Sequence, residues 1–284
     1  MREQRGIRVA LALAAGATLA MGQPAHAQTW RALSSARQRA GEQSLNVEME
    51  YGAGTLRVQP AGGDLLYRLE MRYDEDRFRP VTEYDAASAS LKLGLHGREG
   101  HGGERTRGGT STLSLSGAVP VSLDLKFGAG DASLDLGGMA LRRLRLSTGA
   151  SETRVTFAAP NRVEAEEVRL EAGAAQITVT GLGNAHASLI RLDGGVGDAT
   201  LDFGGQWTRD AEARLQMGMG SLTLRFPRGL GVRIHKDSFL ASFDHPGMVK
   251  RGDDWFSTNW DHATRKVTLD IAAAMGSIDV EWTD

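Results

Sequence analysis

Along most of the chain, apolar and polar side chains alternate one for one. In "VSLDLKF" Val121, Leu123, Leu125 and Phe127 share one side, and Ser122, Asp124 and Lys126 share the other. A break of small residues follows, and then Leu134 and Leu136 point in while Ser133 and Asp135 point out. The same pattern joins Val168 and Leu170 to Ile177 and Val179, and Leu215 and Met217 to Leu222, Leu224 and Phe226. A period of two predicts strands with one buried face.

This strand–break–strand phrase recurs. Its copies align on Gly52, Gly128, Gly149, Gly173, Gly195, Gly218 and Ala274, with the central five separated by 21, 24, 22 and 23 residues. The outer gaps, 76 and 56 residues, leave room for two or three degraded copies each. A steady period of this length predicts an array of identical units. Two strands and two turns in about 22 residues make one coil, stacked about 4.8 Å from the next in parallel register. The predicted fold is therefore all-β: a single-stranded right-handed β-helix, or β-solenoid, with Gly52, Gly128, Gly149, Gly173, Gly195 and Gly218 as structural corners. A sandwich or barrel is the rival, but neither requires the corner to return at that period.

Three stretches depart from the rhythm. Residues 1–27 hold Arg2, Arg5 and Arg8, a short apolar run and Ala25-His26-Ala27, the pattern of a cleavable export signal. The apolar run falls short of the roughly 20 residues that span a bilayer. Residues 28–43, with Trp30, Arg31, Arg37 and Arg39, read as a polar, helix-patterned leader or linker. The solenoid then occupies 44–284. Within it, 74–118 is Gly- and charge-rich and is expected as an irregular exposed loop; 227–284 is expected to form an aromatic cap and the last coil.

Composition narrows the function. The chain has no cysteine, which excludes disulfides and a lipid-modified cysteine. Without residues 1–27 it carries 30 basic and 34 acidic groups, a balance that excludes broad nucleic-acid electrostatics. The expected location is periplasmic or extracellular.

The segment "GVRIHKDSFLASFDHPGMVKRGDDWFSTNWDHATRKVTLDIAAAMGSIDV" resembles the end of the toast-rack envelope domains, including the C-terminal domain of the cell-wall-active antibiotic response (LiaF-like) proteins. The shared features are Phe-Asp before a Gly, a "KRGDDW"-like turn, a strand and "MGSIDV"; "EYGAGTLRV" suits the same group, so the resemblance covers about residues 44–284. It implies a single-stranded β-solenoid without an assigned catalytic site, acting in envelope stress response, regulation of a membrane sensor, or adhesion. LiaF-like regulators carry membrane helices ahead of this domain. Here an export signal takes that place, so the implied contact with a sensor is extracytoplasmic.

Stacked coils turn aligned residues into columns. Four positions before each corner the column reads Glu48, Asp124, Arg145, Arg169, Arg191, Arg214, Asp270. Four consecutive arginines form either a ladder for a repeating anion, such as an acidic glycan or phosphate polymer, or a network neutralised by Glu167, Glu171, Asp193 and Glu212. A second column, Ser133, Arg154, Thr178, Thr200 and Thr223, reads as a β-propensity ladder. Trp255 and Trp260 are candidate sugar or partner contacts within the cap.

No catalytic or metal-binding set stands out. "GGVGDATLD" departs from the calcium-binding nonapeptide in the placement of Asp198 and in period. The seven histidines lack metalloprotease spacing, and no Gly-x-Ser-x-Gly elbow occurs. The expectation is a non-enzymatic exported binding protein without cofactor, whose partner is an envelope polymer or an extracytoplasmic protein. The alternative is a polysaccharide lyase or hydrolase on the same scaffold, for which Asp124, Asp135, Asp193, Asp198 and Asp202 are the available acids.

Overall fold

The computed structural model describes residues 29–97 and 109–284. The export-signal expectation, residues 1–27, lies outside the described residues. Fifteen strands follow in chain order: β1 (Trp30–Gln38), β2 (Leu45–Ala61), β3 (Leu65–Asp74), β4 (Phe78–Asp85), β5 (Ser90–Gly97), β6 (Gly109–Ser116), β7 (Val121–Asp135), β8 (Leu141–Thr156), β9 (Ala165–Thr180), β10 (Ala187–Asp202), β11 (Ala211–Pro227), β12 (Gly231–Asp244), β13 (Met248–Arg251), β14 (Asp254–Ser257) and β15 (Lys266–Thr283). A short 3-10 turn, Leu182–Ala185, lies between β9 and β10. Among the described residues no helix is long and apolar enough to cross a membrane.

Each coil is one long strand bent at its small-residue corner, and the coils β2, β7, β8, β9, β10, β11, β15 and β12 pair in parallel in that spatial order. The fold is the β-solenoid that the period predicts. Register turns the alternation into a core of columns. Met49, Leu125, Leu146, Leu170, Leu192, Leu215 and Ile271 stack before the corner. Val58, Leu134, Val155, Val179, Leu201, Leu224 and Val280 stack after it. All of these are buried, each contributing about 1.5–3 kcal/mol by removal from water.

The corner explains the repeated glycine. A side-chain carbon added at Gly128 would fall 2.1 Å from the carbonyl oxygen of Gly52 on the preceding coil, and one at Gly195 would fall 2.5 Å from that of Gly173. The backbones approach so closely that no other residue fits without displacement.

Both ends depart from the sequence expectation. The 76-residue gap between Gly52 and Gly128 holds no intervening coils. Instead β5 and β6 together make one interrupted coil on the far side of β2, pairing with Asn46–Glu50 and Gly54–Ala61 respectively. The stretch 74–118, expected as an irregular loop, therefore carries β4, β5 and β6, with residues 98–108 outside the described set. Its Leu91, Leu93, Leu113 and Leu115 are buried, so core-facing alternation outweighs the Gly-rich composition.

The expected helical leader is strand β1, antiparallel to β3. An isolated helix of that length is marginal in water, whereas the open edge of β3 offers backbone partners along the whole segment. Arg72 packs its guanidinium over the Trp30 ring at 4.7 Å.

At the other end the 56-residue gap holds one coil, β12, outside β15. The chain passes from β11 to the terminal coil, forms the β13–β14 hairpin, and returns as β15 between β11 and β12.

Candidate binding surfaces

The arginine column exists in register. Asp124, Arg145, Arg169, Arg191, Arg214 and Asp270 lie side by side on β7, β8, β9, β10, β11 and β15, with Glu48 before them and His235 after them. Alternation sends these side chains outward, where carboxylates of the same column and of neighbouring columns meet them. Arg145 lies 3.6 Å from Asp124, and Arg191 lies 3.1 Å from Glu167. Arg169 holds Glu171 at 2.6 Å and Asp193 at 3.1 Å, and Arg214 meets Glu212 at 3.4 Å. The face is a checkerboard rather than a bare cationic ladder. The Glu171 carboxyl sits below the ordinary carboxylate range because the Ser147 hydroxyl donates to it and Arg169 adds a second bond and its charge.

Trp255 and Trp260 do not form one platform. Trp255 lies opposite the buried Ile234 and packs against the core beside Phe243, with the His245 ring 3.7 Å from it centre to centre. Trp260 packs edge-on against Phe256 at 5.4 Å, and the Lys266 ammonium stands 5.0 Å above its ring. Trp255 and Phe256 are successive residues of β14 and face opposite sides. Both tryptophans are half-buried.

A third surface was not singled out from the sequence. At the corner, the residue after each aligned glycine forms its own column: Ala53, Ala129 and Ala150 on the N-terminal coils, then Ala174, Val196, Met219, Met275 and Leu240. From β10 onward the side chains are large and open to solvent: Val196 is 55 % exposed, Met219 49 %, Met275 44 % and Leu240 58 %. Phe239, at the β12 corner, is 86 % exposed. Beside this ridge runs a shallow groove floored by Gly194, Gly195, Gly218 and Ala272–Ala274. The signal was present in "GGVGD", "GMGS" and "AMGS", where a large apolar residue directly follows the aligned small residue at a corner open to water.

The acids considered for catalysis are each engaged elsewhere. Asp124 and Asp193 pair with Arg145 and Arg169. Asp135 and Asp202 accept from the backbone of Gly137 and Gly204. Asp198 accepts from the Ser221 hydroxyl at 2.5 Å, which with the Ser221 backbone N–H lowers its pKa. Among the described residues no three His, Cys, Asp or Glu side chains converge on a metal position.

The fold and its columns define a β-solenoid that offers in-register surfaces rather than an enclosed site. The chain belongs to the toast-rack family: the N-terminal domain of toast_rack, DUF2154, matches residues 27–180. No curated protein sequence matches the chain. Among solved structures, a candidate cell adhesion protein from Clostridium sporogenes is 14% identical, with 90% of this chain and 100% of that chain covered at a TM-score of 0.47. A candidate adhesin from Bacteroides fragilis is 12% identical, with 88% and 97% covered at a TM-score of 0.40. A candidate lipid binding protein from Parabacteroides distasonis is 12% identical over the same shares, at a TM-score of 0.32.

Proposed function

We propose that this protein is an exported, non-enzymatic component of the cell envelope that acts by binding, and that its contact face is the apolar corner of the C-terminal coils. The observation that carries this reading is the in-register ridge of Val196, Met219, Met275 and Leu240, four neighbouring coils each presenting a half-exposed apolar side chain. Contiguous exposed apolar surface on a folded domain marks a contact site. A protein partner outside the cytoplasm suits an apolar ridge. An anionic polymer suits the arginine column less well, because Arg145, Arg169, Arg191 and Arg214 already face carboxylates. Export rests on the pattern of residues 1–27. Envelope stress response and adhesion are the roles that such a contact would serve.

The test is co-sedimentation of residues 28–284 with fractionated envelope at low and moderate salt. Val196→Lys/Met219→Lys is expected to abolish binding, and wild-type binding should change little with salt. Binding that survives this variant, but is lost with salt and with Arg169→Glu/Arg191→Glu/Arg214→Glu, would return the contact to the arginine column.

A further inference from the structure

The two ends of the solenoid are finished differently. At the N-terminal end β4 covers β5 along its length, β3 covers β6, and β1 covers β3. The outer strand β4 carries Pro80, which lacks a backbone donor. At the C-terminal end β14 covers only Arg233–His235 of β12. From Lys236 onward no described strand pairs with the outer edge of β12, and its corner holds the exposed Phe239 and Leu240. Natural sheets protect such an edge or use it.

We propose that the protein forms a two-fold, end-to-end dimer by antiparallel pairing of residues 236–243 of β12 with the same residues of a second copy. Three features of the strand suit its own copy. First, a two-fold axis reverses the partner strand, so a bent strand fits itself only when its corner lies at the middle of the pairing. The window 236–243 is centred between Phe239 and Leu240, where β12 turns.

Second, inward and outward faces agree. Lys236 and Ser238 stack on the core-facing Ile271 and Ala273, whereas past the corner Phe243 stacks on Ile278. The inward positions are thus even before the corner and odd after it. Centred pairing sets Lys236 against the partner's Phe243 and Ser238 against the partner's Ala241, so inward meets inward. A one-residue slip would set inward against outward.

Third, the resulting pairs are compatible. Phe239 meets the partner's Leu240 twice about the axis, joining four exposed apolar side chains. Asp237 meets the partner's Ser242, both exposed polar residues. Lys236, which already stands 5.8 Å from the Phe243 ring of its own chain, meets the same ring type in the partner. No like charges face each other. The interface is isologous and closes as a dimer, leaving the covered N-terminal ends outermost.

Leu240 belongs both to the ridge and to this seam, so the two readings are separated at Met219, which lies in the ridge and outside the seam. Sedimentation velocity of residues 28–284 over a range of concentrations should show a monomer–dimer equilibrium. Phe239→Lys/Leu240→Lys places lysine against lysine and should weaken dimerisation by roughly tenfold or more, whereas Phe239→Lys/Leu240→Glu places opposite charges together and should restore it. Because the chain has no cysteine, a mixture of Asp237→Cys and Ser242→Cys chains reports the register: a disulfide should form between the two variants and not within either alone. Met219→Lys should leave the dimer intact. A monomer at every concentration, equal loss in both charge variants, or cross-linking that ignores the register would overturn the proposal. In the monomer case, a foreign extended strand would be the candidate occupant of the edge.

Discussion

Gly220 lies beside Gly197 on the next coil so closely that a side-chain carbon on Gly220 would fall 1.7 Å from the Gly197 carbonyl oxygen. Gly220 also holds a φ of 137°, a conformation that L side chains rarely adopt. Gly220→Ala therefore meets a backbone clash and a backbone strain together. The expected loss is about 2–4 kcal/mol, read as a lower urea midpoint at unchanged slope. Gly52, whose added carbon would meet nothing within 4 Å, is the control; Gly52→Ala should cost less than about 1 kcal/mol.

Asn161 is buried in the turn between β8 and β9 and works on three coils at once. Its side-chain amide donates to the carbonyls of Leu141, Val163 and Ala185, and its oxygen accepts from the Leu141 N–H. Asn161→Ala leaves those backbone groups without partners in a closed site. A loss of about 2–4 kcal/mol is expected, with faster amide exchange at Leu141 than in the strands around it.

Glu171 gives the arginine face a pH dependence of defined sign. Its pKa is held below the ordinary 4.5, first by the Ser147 hydroxyl and then by Arg169. The stability this contributes is present above pH 4.5 and is lost as the pH falls through the lowered value. Glu50 and Glu166, held low by Lys126 and Arg143, act in the same direction. Urea midpoints measured on acidification should fall for the wild type, and the gap to Glu171→Gln should narrow below pH 4.5.

What the sequence discloses follows from what repeats. Leu125, Leu146, Leu170, Leu192 and Leu215 recur at one position per coil, so strand, core face, corner and arginine register could all be read from spacing. The ends do not repeat, and there the reading failed. Period alone cannot show that β5 and β6 share one coil, or that β1 pairs in the opposite direction, because those pairings depend on which edge is left open once the coils have stacked. The arginine column was legible as a column, but its charge balance needed side-chain positions: Glu167 and Asp193 lie beside arginines of neighbouring coils, 24 residues away in each case. Asn161 carries no pattern at all, since its value lies in carbonyls from two other turns.

The return of β15 between β11 and β12 sets an order in time as well as in space. Its 18 residues are synthesised after β12, β13 and β14, although they lie inside them in the stack. Until they arrive, β12 has no coil beside it and β11 presents a bare flank. This end of the stack can therefore be completed only once β15 has been made and has entered the gap between β11 and β12. A chain cut short near residue 265 would not be a slightly smaller solenoid: it would lose an interior layer and strand the terminal coil and hairpin beyond it. Quality control that senses unfinished flanks would have its clearest target there.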